Sequence, residues 1–176
     1  VAEEIMRLVE KGQSPEDFAV LYRTNAQSRV LEDALRKARM NYTIVGGVRF
    51  YERKEIKDIL SYLRIIVNPS DSLNLKRAMN VPARGIGKKT LDRIEQHAHR
   101  HHKTVFETLK KIREIEKISE NIYLRVEDFV NLIKELREEN KNLSAKELVR
   151  LVIETTGYMD ELASDDTPEG ESRIEN

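Results

Sequence analysis

The stretch "VPARGIGKKTLDRI", residues 81–94, decides how the middle of this chain folds. The segment before it, "LNLKRAMN" (residues 73–80), has helical spacing and ends at a Val-Pro pair, because a residue before proline avoids helical backbone angles. The residues that follow its second glycine direct Leu91 and Ile94 inward at helical spacing. The pattern therefore predicts two helices joined by a tight turn of the form glycine, hydrophobe, glycine.

The glycines and lysines of this turn also suggest a nucleotide-phosphate loop. An ATP-binding loop of the form G-x-x-x-x-G-K-[ST] needs glycine where this chain has Pro82, and serine or threonine where it has Lys89. Such a loop also follows a strand, whereas a helix is predicted before this turn. The stretch is therefore not predicted to bind ATP.

A DNA backbone is the phosphate source that fits the turn. In a helix-hairpin-helix arrangement the glycines allow positive φ and close approach of a backbone, and Ile86 would hold the turn in the core. The amides of Gly87, Lys88 and Lys89 would open the second helix, where the helix dipole favours an anion. Arg84 would add positive charge near the same point. The alternative is a purely structural turn between two core helices, with solvated lysines.

Charge is balanced in total but unevenly distributed. There are 31 Lys and Arg against 31 Asp and Glu, yet residues 76–103 carry eight Lys and Arg, and residues 160–176 carry seven acids. The basic region surrounds the glycine turn. Without cysteine the chain has no disulfide or thiolate zinc site, and no apolar run approaches the ~18 residues of a membrane span. We expect a cytoplasmic protein with no membrane partner.

Residues before about 55 alternate between predicted strand and predicted helix. "FAVLYRT" (residues 18–24) and "NYTIVGG" (residues 41–47) have the pattern of short strands, and the helix between them is predicted to direct Val30, Leu31, Ala34, Leu35 and Ala38 inward. Strand, helix, strand is typical of a parallel sheet, although two strands alone do not form a stable one. The predicted fold class is therefore mainly α: a helical domain with a helix-hairpin-helix element, plus a small partial α/β portion.

Polar side chains follow both predicted strands. Loops at strand ends of α/β sheets often bind ligands, and mixed aromatic and cationic residues suit a nucleic-acid strand. As alternatives, Thr24 or Asn25 would simply cap the next helix, and the aromatic residues would seal a domain junction. The candidates for DNA or interdomain contacts are Tyr22, Arg23, Thr24, Asn25, Arg29, Gly46, Gly47, Arg49 and Phe50.

The second part of the chain is helical in pattern. Asp71 or the serine before it would cap the helix that precedes the turn. Ser144 with Glu147 forms a capping-box pattern, and Gly157 is placed to end the helix that this box begins. The polar stretch "ASDDTPEGES" after it is predicted to be a loop. A long helix between these signals directs apolar residues inward, namely Ile122, Val126, Phe129, Val130, Ile133 and Leu136.

Four histidines close together, His97, His99, His101 and His102, raise the question of a metal site. His97 and His101 are one helical turn apart and can share a face. A zinc site needs a third ligand, which neither a cysteine nor an H-E-x-x-H pattern supplies. We therefore predict a solvated helix end, with no metal-binding and no catalytic residues in this chain.

Three segments together resemble one protein family. "FAVLYRTNAQSRVLEDAL", "YTIVGGVRFYERKEIKDILSYLRIIVNPSD" and "VPARGIGKKTLD", in this order and spacing, are similar to the UvrD/PcrA/Rep family of superfamily-1 DNA helicases. The resemblance implies that residues 1–57 are part of the second RecA-like motor domain, 2A, and that residues 58–176 are the helical accessory domain, 2B. The closing "SRIEN" resembles the point where the accessory domain returns to the motor.

The resemblance also implies a site and a parent enzyme. The parent would be an ATP-dependent 3′-to-5′ DNA helicase of repair or replication, with ATP and Mg²⁺ as cofactors. This chain, which lacks the ATP-binding motifs, would be inactive alone and hold no cofactor. In this family the turn contacts duplex DNA, which implies contacts here from Arg84, Gly85, Ile86, Gly87, Lys88, Lys89 and Thr90.

The implied partners are duplex DNA through 2B, single-stranded DNA through the motor, the remainder of the helicase, and repair or transcription proteins. Two interpretations from other classes remain open. One is a free-standing helix-hairpin-helix DNA-binding module. The other is a protein-interaction domain in which the glycine turn is purely structural.

Overall fold

Helices form the regular structure of this protein in a computed structural model, which describes residues 1–45 and 47–176. Short 3₁₀ turns lie at Pro15–Asp17, Phe50–Glu52 and Ile112–Glu114. The α-helices of the described residues are α1 (Ala2–Glu10), α2 (Asn25–Lys37), α3 (Lys54–Val67), α4 (Ser72–Met79), α5 (Lys88–Arg100), α6 (Val105–Leu109), α7 (Glu120–Glu139), α8 (Ala145–Thr156), α9 (Tyr158–Ala163) and α10 (Pro168–Glu175). None of them combines the length and the apolar character needed to cross a bilayer. The prediction of a mainly α fold is confirmed.

The two strands predicted at residues 18–24 and 41–47 are absent from the described residues, so that part of the prediction is wrong. Backbone conformation is extended at Phe18 and at Thr24, the two ends of the first segment. No strand is assigned anywhere in residues 1–45 and 47–176. A strand needs a neighbour for its N–H and C=O groups, and the described residues supply none.

The chain divides into two compact units. Unit 1 comprises Val1–Ile56 and Asp165–Asn176, and unit 2 comprises Lys57–Ser164. The predicted border lies after residue 57, with residues 58–176 in a second domain whose return to the motor was expected at the closing "SRIEN". The structure differs at the end of the chain, where the last twelve residues (165–176) pack with unit 1.

Side-chain hydrogen bonds attach the end of the chain to unit 1. Asn176 accepts a hydrogen bond from the Arg53 guanidinium and donates one to Glu55 at 2.7 Å. The side-chain amide of Asn25 donates to the Ser172 hydroxyl at 3.4 Å. Ser172 lies in helix α10, which Asn176 directly follows, and the Thr167 side chain caps the start of this helix by accepting the Gly170 amide. The predicted polar loop is therefore wrong from residue 168 onward.

A buried carboxylate organises the interior of unit 1. Glu32 is 4% exposed and accepts hydrogen bonds from the Ser28 hydroxyl at 2.9 Å, the Tyr42 hydroxyl at 3.2 Å and the Phe50 amide at 3.2 Å. Three donors offset the cost of removing the carboxylate from water. Helix α2 therefore turns Glu32 inward, and Val30, which was predicted to point inward, is 73% exposed.

The core of unit 2 is apolar and is built around α7. Ile133 and Val126 are fully buried, and Phe129 and Leu136 are each 1% exposed, as their helical spacing predicted. Residues from α3, α4, α5, α6 and α8 complete the same cluster. Burial of this apolar surface is the main stabilising term available to the unit, and it fixes where the ends of α4 and α5 lie.

Local capping signals set the boundaries of several helices. The Asp71 carboxylate accepts the Asn74 amide at 3.1 Å, so Asp71 rather than the preceding serine caps α4. Ser144 and Glu147 form the predicted capping box at the start of α8. Gly157 has φ of 71°, a left-handed conformation, and it ends α8 as predicted.

Candidate nucleic-acid interface

The turn between α4 and α5 combines one left-handed glycine with one extended glycine. Gly85 has φ of +65°, a conformation that favours glycine. Gly87 has φ of −69° and ψ of 158°, so of the two glycines only Gly85 uses the positive φ that the turn was expected to allow. Between them Ile86 is 3% exposed and joins the apolar cluster of unit 2, which confirms its predicted anchoring role.

The N-terminus of α5 is open. Gly87 is the N-cap and has no side chain to accept an N–H, and its carbonyl accepts the amides of Thr90 at 2.9 Å and Leu91 at 3.2 Å. Within the described chain, the amides of Gly87, Lys88 and Lys89 have no hydrogen-bond acceptor. At four other helix starts the N-cap side chain accepts a backbone N–H, namely at Asp71, Thr104, Ser144 and Thr167.

The two lysines beside these amides point into solvent. Lys88 and Lys89 are exposed, and neither forms an ion pair with any residue that the structure describes. Lys76, in contrast, pairs with Glu95, and Arg93 donates to the Lys117 carbonyl. Lys88 and Lys89 are therefore available to an external anion.

Arg84 behaves differently from the lysines. Its side chain is partly buried, and Nη2 donates to the Tyr62 hydroxyl at 2.8 Å. The guanidinium also lies 5.2 Å from the ring centre of Phe129. The two N–H groups of Nη1 are shared among four carbonyl oxygens at and just after the end of α4, those of Ala78 at 2.9 Å, Met79 at 3.4 Å, Val81 at 3.3 Å and Pro82 at 3.3 Å.

Tyr62, which lies in α3, accepts the hydrogen bond from Arg84 and makes one of its own to α4. Its hydroxyl donates to the Ala78 carbonyl at 2.9 Å, and its side chain has no exposed surface. Burial raises the pKa of Tyr62 to about 12, an effect that outweighs the opposing influence of the Arg84 charge. Tyr62 is therefore a neutral hydrogen-bonding group near neutral pH.

A cation that the sequence did not reveal lies beside the turn. Arg125 of α7 is exposed, and its Nη1 donates to the Arg84 carbonyl at 3.1 Å. A side chain at Gly85 would collide with the same Arg125 nitrogen. The contact spans 41 positions, and no local pattern around Arg125 distinguishes it from other exposed cations of amphipathic helices.

In unit 1 the structure brings some of the predicted residues together. The Cβ position of Gly47 lies 4.0 Å from the Tyr22 hydroxyl and 4.0 Å from Asn25 Oδ1. The amides of Arg23 and Thr24 donate to the Gln27 side chain at 2.9 and 3.3 Å. Thr24 is thus the N-cap of α2, as the capping alternative predicted.

The other predicted residues of unit 1 contribute to internal packing. Phe50 is 5% exposed, and the Arg29 guanidinium lies 5.0 Å from its ring centre. Arg49 is exposed and lies 5.9 Å from the ring of Tyr42. A buried Phe50 offers no face on which a base could stack. Gly46 lies outside the described residues.

Comparison with known proteins places the chain in a family. A family model of the UvrD-like helicase C-terminal domain matches residues 1–165. The chain belongs to this family. It is 42% identical over all 176 residues to the ATP-dependent DNA helicase PcrA of Staphylococcus aureus, and 41% identical to that of Staphylococcus epidermidis. This UvrD-like chain spans 24% of the length of each of these relatives.

The histidines of this UvrD-like chain do not gather metal ligands. The rings of His97 and His101 lie 4.3 Å apart, and burial, followed by the charge of His101, lowers the pKa of His97. No group of three or more His, Cys, Asp or Glu residues in the described part of the chain could hold a metal ion.

Proposed function

We propose that Lys57–Ser164 is the duplex-DNA-binding accessory domain, 2B, of an ATP-dependent 3′-to-5′ DNA helicase. Residues 1–56 with residues 165–176 would then be part of its motor domain 2A. The observation that supports duplex binding most directly is the open N-terminus of α5, where amides without acceptors adjoin two exposed lysines. The family membership supports the rest.

The chemistry of this helix start suits a phosphate group. Unsatisfied amides carry partial positive charge, and the helix dipole adds to it. Lys88 and Lys89 supply full charges on flexible stems, and such contacts hold a nucleic-acid backbone without reading its sequence. The extended backbone of Gly87, with no atom beyond those of its chain neighbours within 4 Å of the position of an added Cβ, leaves space for a backbone to approach.

In the proposed mechanism the accessory domain grips duplex ahead of the fork while the motor moves along one strand. The amides of Gly87, Lys88 and Lys89 would hold duplex phosphates. Single-stranded DNA would run along the motor, where Tyr22, Arg23 and Arg49 are among the exposed candidates of unit 1. The remainder of the helicase, and repair or transcription proteins, would be its further partners.

ATP and Mg²⁺ would serve the parent protein through residues outside this chain. The sequence contains no G-x-x-x-x-G-K-[ST] loop, and its described residues hold no cluster of Asp, Glu or His for a metal ion. The residues present therefore do not fit a complete nucleotide site. We propose that this chain alone does not hydrolyse ATP.

The experiment compares duplex binding by the 176-residue chain and by its Lys88→Glu/Lys89→Glu variant. Fluorescence anisotropy with a short labelled duplex would be measured from about 50 to about 200 mM salt. The variant should bind more weakly, and the slope of log K against log salt should flatten, because fewer counterions are released.

Lys134→Glu/Lys146→Glu is the matched control, since both lysines are exposed, lie in unit 2 and change net charge equally. The control should keep the wild-type salt slope. Equal slopes for the wild type and Lys88→Glu/Lys89→Glu would overturn the proposal. Absence of duplex binding by a folded wild-type chain would favour the purely structural turn.

A further inference from the structure

Two arginines adjoin the glycine turn in opposite states, one engaged by the protein and one exposed. We propose that Arg125 of α7 contacts a DNA phosphate beside the turn, whereas Arg84 positions the turn from inside and touches no phosphate. The proposal rests on the duplex binding proposed above. Arg125, and not Arg84, would then be one of the cations that contact DNA.

Arg84 has its charge committed to the protein. Nη1 faces four carbonyl oxygens, two of which, from Ala78 and Met79, belong to the last turn of α4. The last carbonyls of a helix have no partner within the helix and carry partial negative charge, so a guanidinium there is stabilising. With Nη2 bonded to Tyr62, the side chain would have to leave these partners to reach a phosphate.

Holding these carbonyls has a consequence for the turn. Two of the four acceptors lie in the last turn of α4 and two lie just after it, from Ala78 to Pro82. Arg84 itself is directly followed by Gly85. The side chain therefore ties the end of α4 to the entrance of the turn. We infer that Arg84 sets the direction in which the amides of α5 point, without contacting what they bind.

Arg125 has the opposite character. It is exposed, and its hydrogen bond to the Arg84 carbonyl uses only one of the five guanidinium N–H donors. No carboxylate of the described residues forms an ion pair with it, although Asp128 lines the same cleft. A planar guanidinium with free donors is suited to bidentate contact with a phosphate.

Gly85 connects the two arginines. Its positive φ favours glycine, and the Arg125 nitrogen occupies the place that a Cβ would need. Glycine at this position therefore does more than shape the turn, since it lets a cation from another helix lie directly against the backbone. The proposed phosphate surface thus draws on α5 and α7 together.

The test is the salt dependence of duplex binding by the 176-residue chain. Arg125→Ala should reduce the slope of log K against log salt by about 0.9, the value of one phosphate contact. Arg125→Lys should restore most of the slope. Asp128→Asn should tighten binding, since it removes a negative charge from the same cleft.

Lys134→Ala is the matched control for Arg125→Ala. Lys134 is exposed on the same helix, about two and a half turns further on, and so on the opposite face. Its loss should leave the slope unchanged. A slope for Arg125→Ala equal to that of Lys134→Ala would overturn the proposed contact.

The Arg84→Met variant tests whether Arg84 positions the turn or itself contacts a DNA phosphate. It should lower the melting temperature and weaken duplex binding while the salt slope stays at the wild-type value. A slope reduced by about 0.9 would show that Arg84 itself contacts phosphate and would overturn its positioning role. If Arg84→Met does not fold, Tyr62→Phe removes one of its partners and should give the same pattern more weakly.

The outcomes also distinguish this proposal from the proposed function. Wild-type binding that is insensitive to Lys88 and Lys89 would contradict duplex binding by the turn. Binding that depends on the lysines but not on Arg125 would contradict only the role of Arg125.

Discussion

The carboxylate of Asp58 accepts a hydrogen bond from the hydroxyl of Tyr158 at 2.7 Å, across 100 positions of sequence. Asp58 is 1% exposed, and its other oxygen accepts Arg77 Nε at 2.7 Å. A buried carboxylate of α3 is thereby tied to α4 and to α9. This connection fixes the helix that leads into the glycine turn.

Tyr158→Phe should lower the free energy of unfolding of unit 2 by about 1.5–3 kcal/mol, because the buried carboxylate loses a donor. Urea denaturation followed by circular dichroism measures the change. Tyr51→Phe, at a ring that is 43% exposed, is the control and should change stability by less than about 0.5 kcal/mol. Equal effects of the two substitutions would contradict the importance of the Asp58 contact.

Stability should fall in alkaline solution because of Tyr62. Burial raises its pKa from the ordinary 10.0 to about 12, so the folded state keeps its proton while the unfolded chain loses it. The contribution is complete below pH 10.0 and is lost as the pH rises toward 12. The loss should be roughly 2–3 kcal/mol.

Denaturation at a series of alkaline pH values would measure this dependence, with Tyr62→Phe as the reference. The variant should be less stable near neutral pH, because Tyr62 donates to the Ala78 carbonyl, and it should show a shallower alkaline decline. Identical alkaline profiles for the two proteins would show that Tyr62 is not the titrating group.

Two serines at helix starts should differ in their contribution to stability. The Ser144 hydroxyl accepts the Glu147 amide at 3.4 Å, whereas Ser119, the N-cap of α7, makes no such bond. Ser144→Ala should cost about 1 kcal/mol, and Ser119→Ala should cost much less. Thermal denaturation of both variants tests the difference, and a larger loss for Ser119→Ala would contradict it.

The same capping box should respond to acid. Hydrogen bonds from the side chain and then the backbone of Ser144 hold the pKa of Glu147 below its ordinary 4.5. A lowered pKa gives stability that is present above 4.5 and is lost as the pH falls through the lowered value. Acid titration of circular dichroism should show a smaller loss in Ser144→Ala.

Substitution of Gly85 should mainly lower stability, whereas substitution of Gly87 should mainly weaken duplex binding. Gly85→Ala should cost about 1–2 kcal/mol from its positive φ, in addition to displacing Arg125. Gly87→Ala should change stability by about 1 kcal/mol or less, since its backbone suits alanine and its Cβ position is open.

Duplex binding should show the opposite sensitivity in a folded Gly87→Ala chain. The added methyl group would occupy the space through which a DNA backbone reaches the free amides, so affinity should fall. Anisotropy titration alongside urea denaturation measures both properties. Wild-type affinity in Gly87→Ala would contradict close approach of the backbone at this residue.

Short-range rules were enough to predict much of unit 2. Capping at Asp71, the box formed by Ser144 and Glu147, and the left-handed Gly157 each depend on residues within one or two turns. The apolar spacing of α7 was likewise sufficient to identify its buried face, and Ile86 was correctly expected in the core. In these cases the cause of the conformation lies in the same segment as the residue itself.

Sequence alone therefore determined the helices of unit 2, the glycine turn, its two solvent-facing lysines and the resemblance to UvrD-like helicases. Only the tertiary structure decided that Arg84 faces α4, that Arg125 lies against Gly85, that Glu32 rather than Val30 is buried, and that the chain end packs with unit 1. Each of these depends on contacts with residues outside the helix or segment concerned, such as the donors that hold Glu32 in the interior. Helical periodicity carries no information about such partners, because it describes one element at a time.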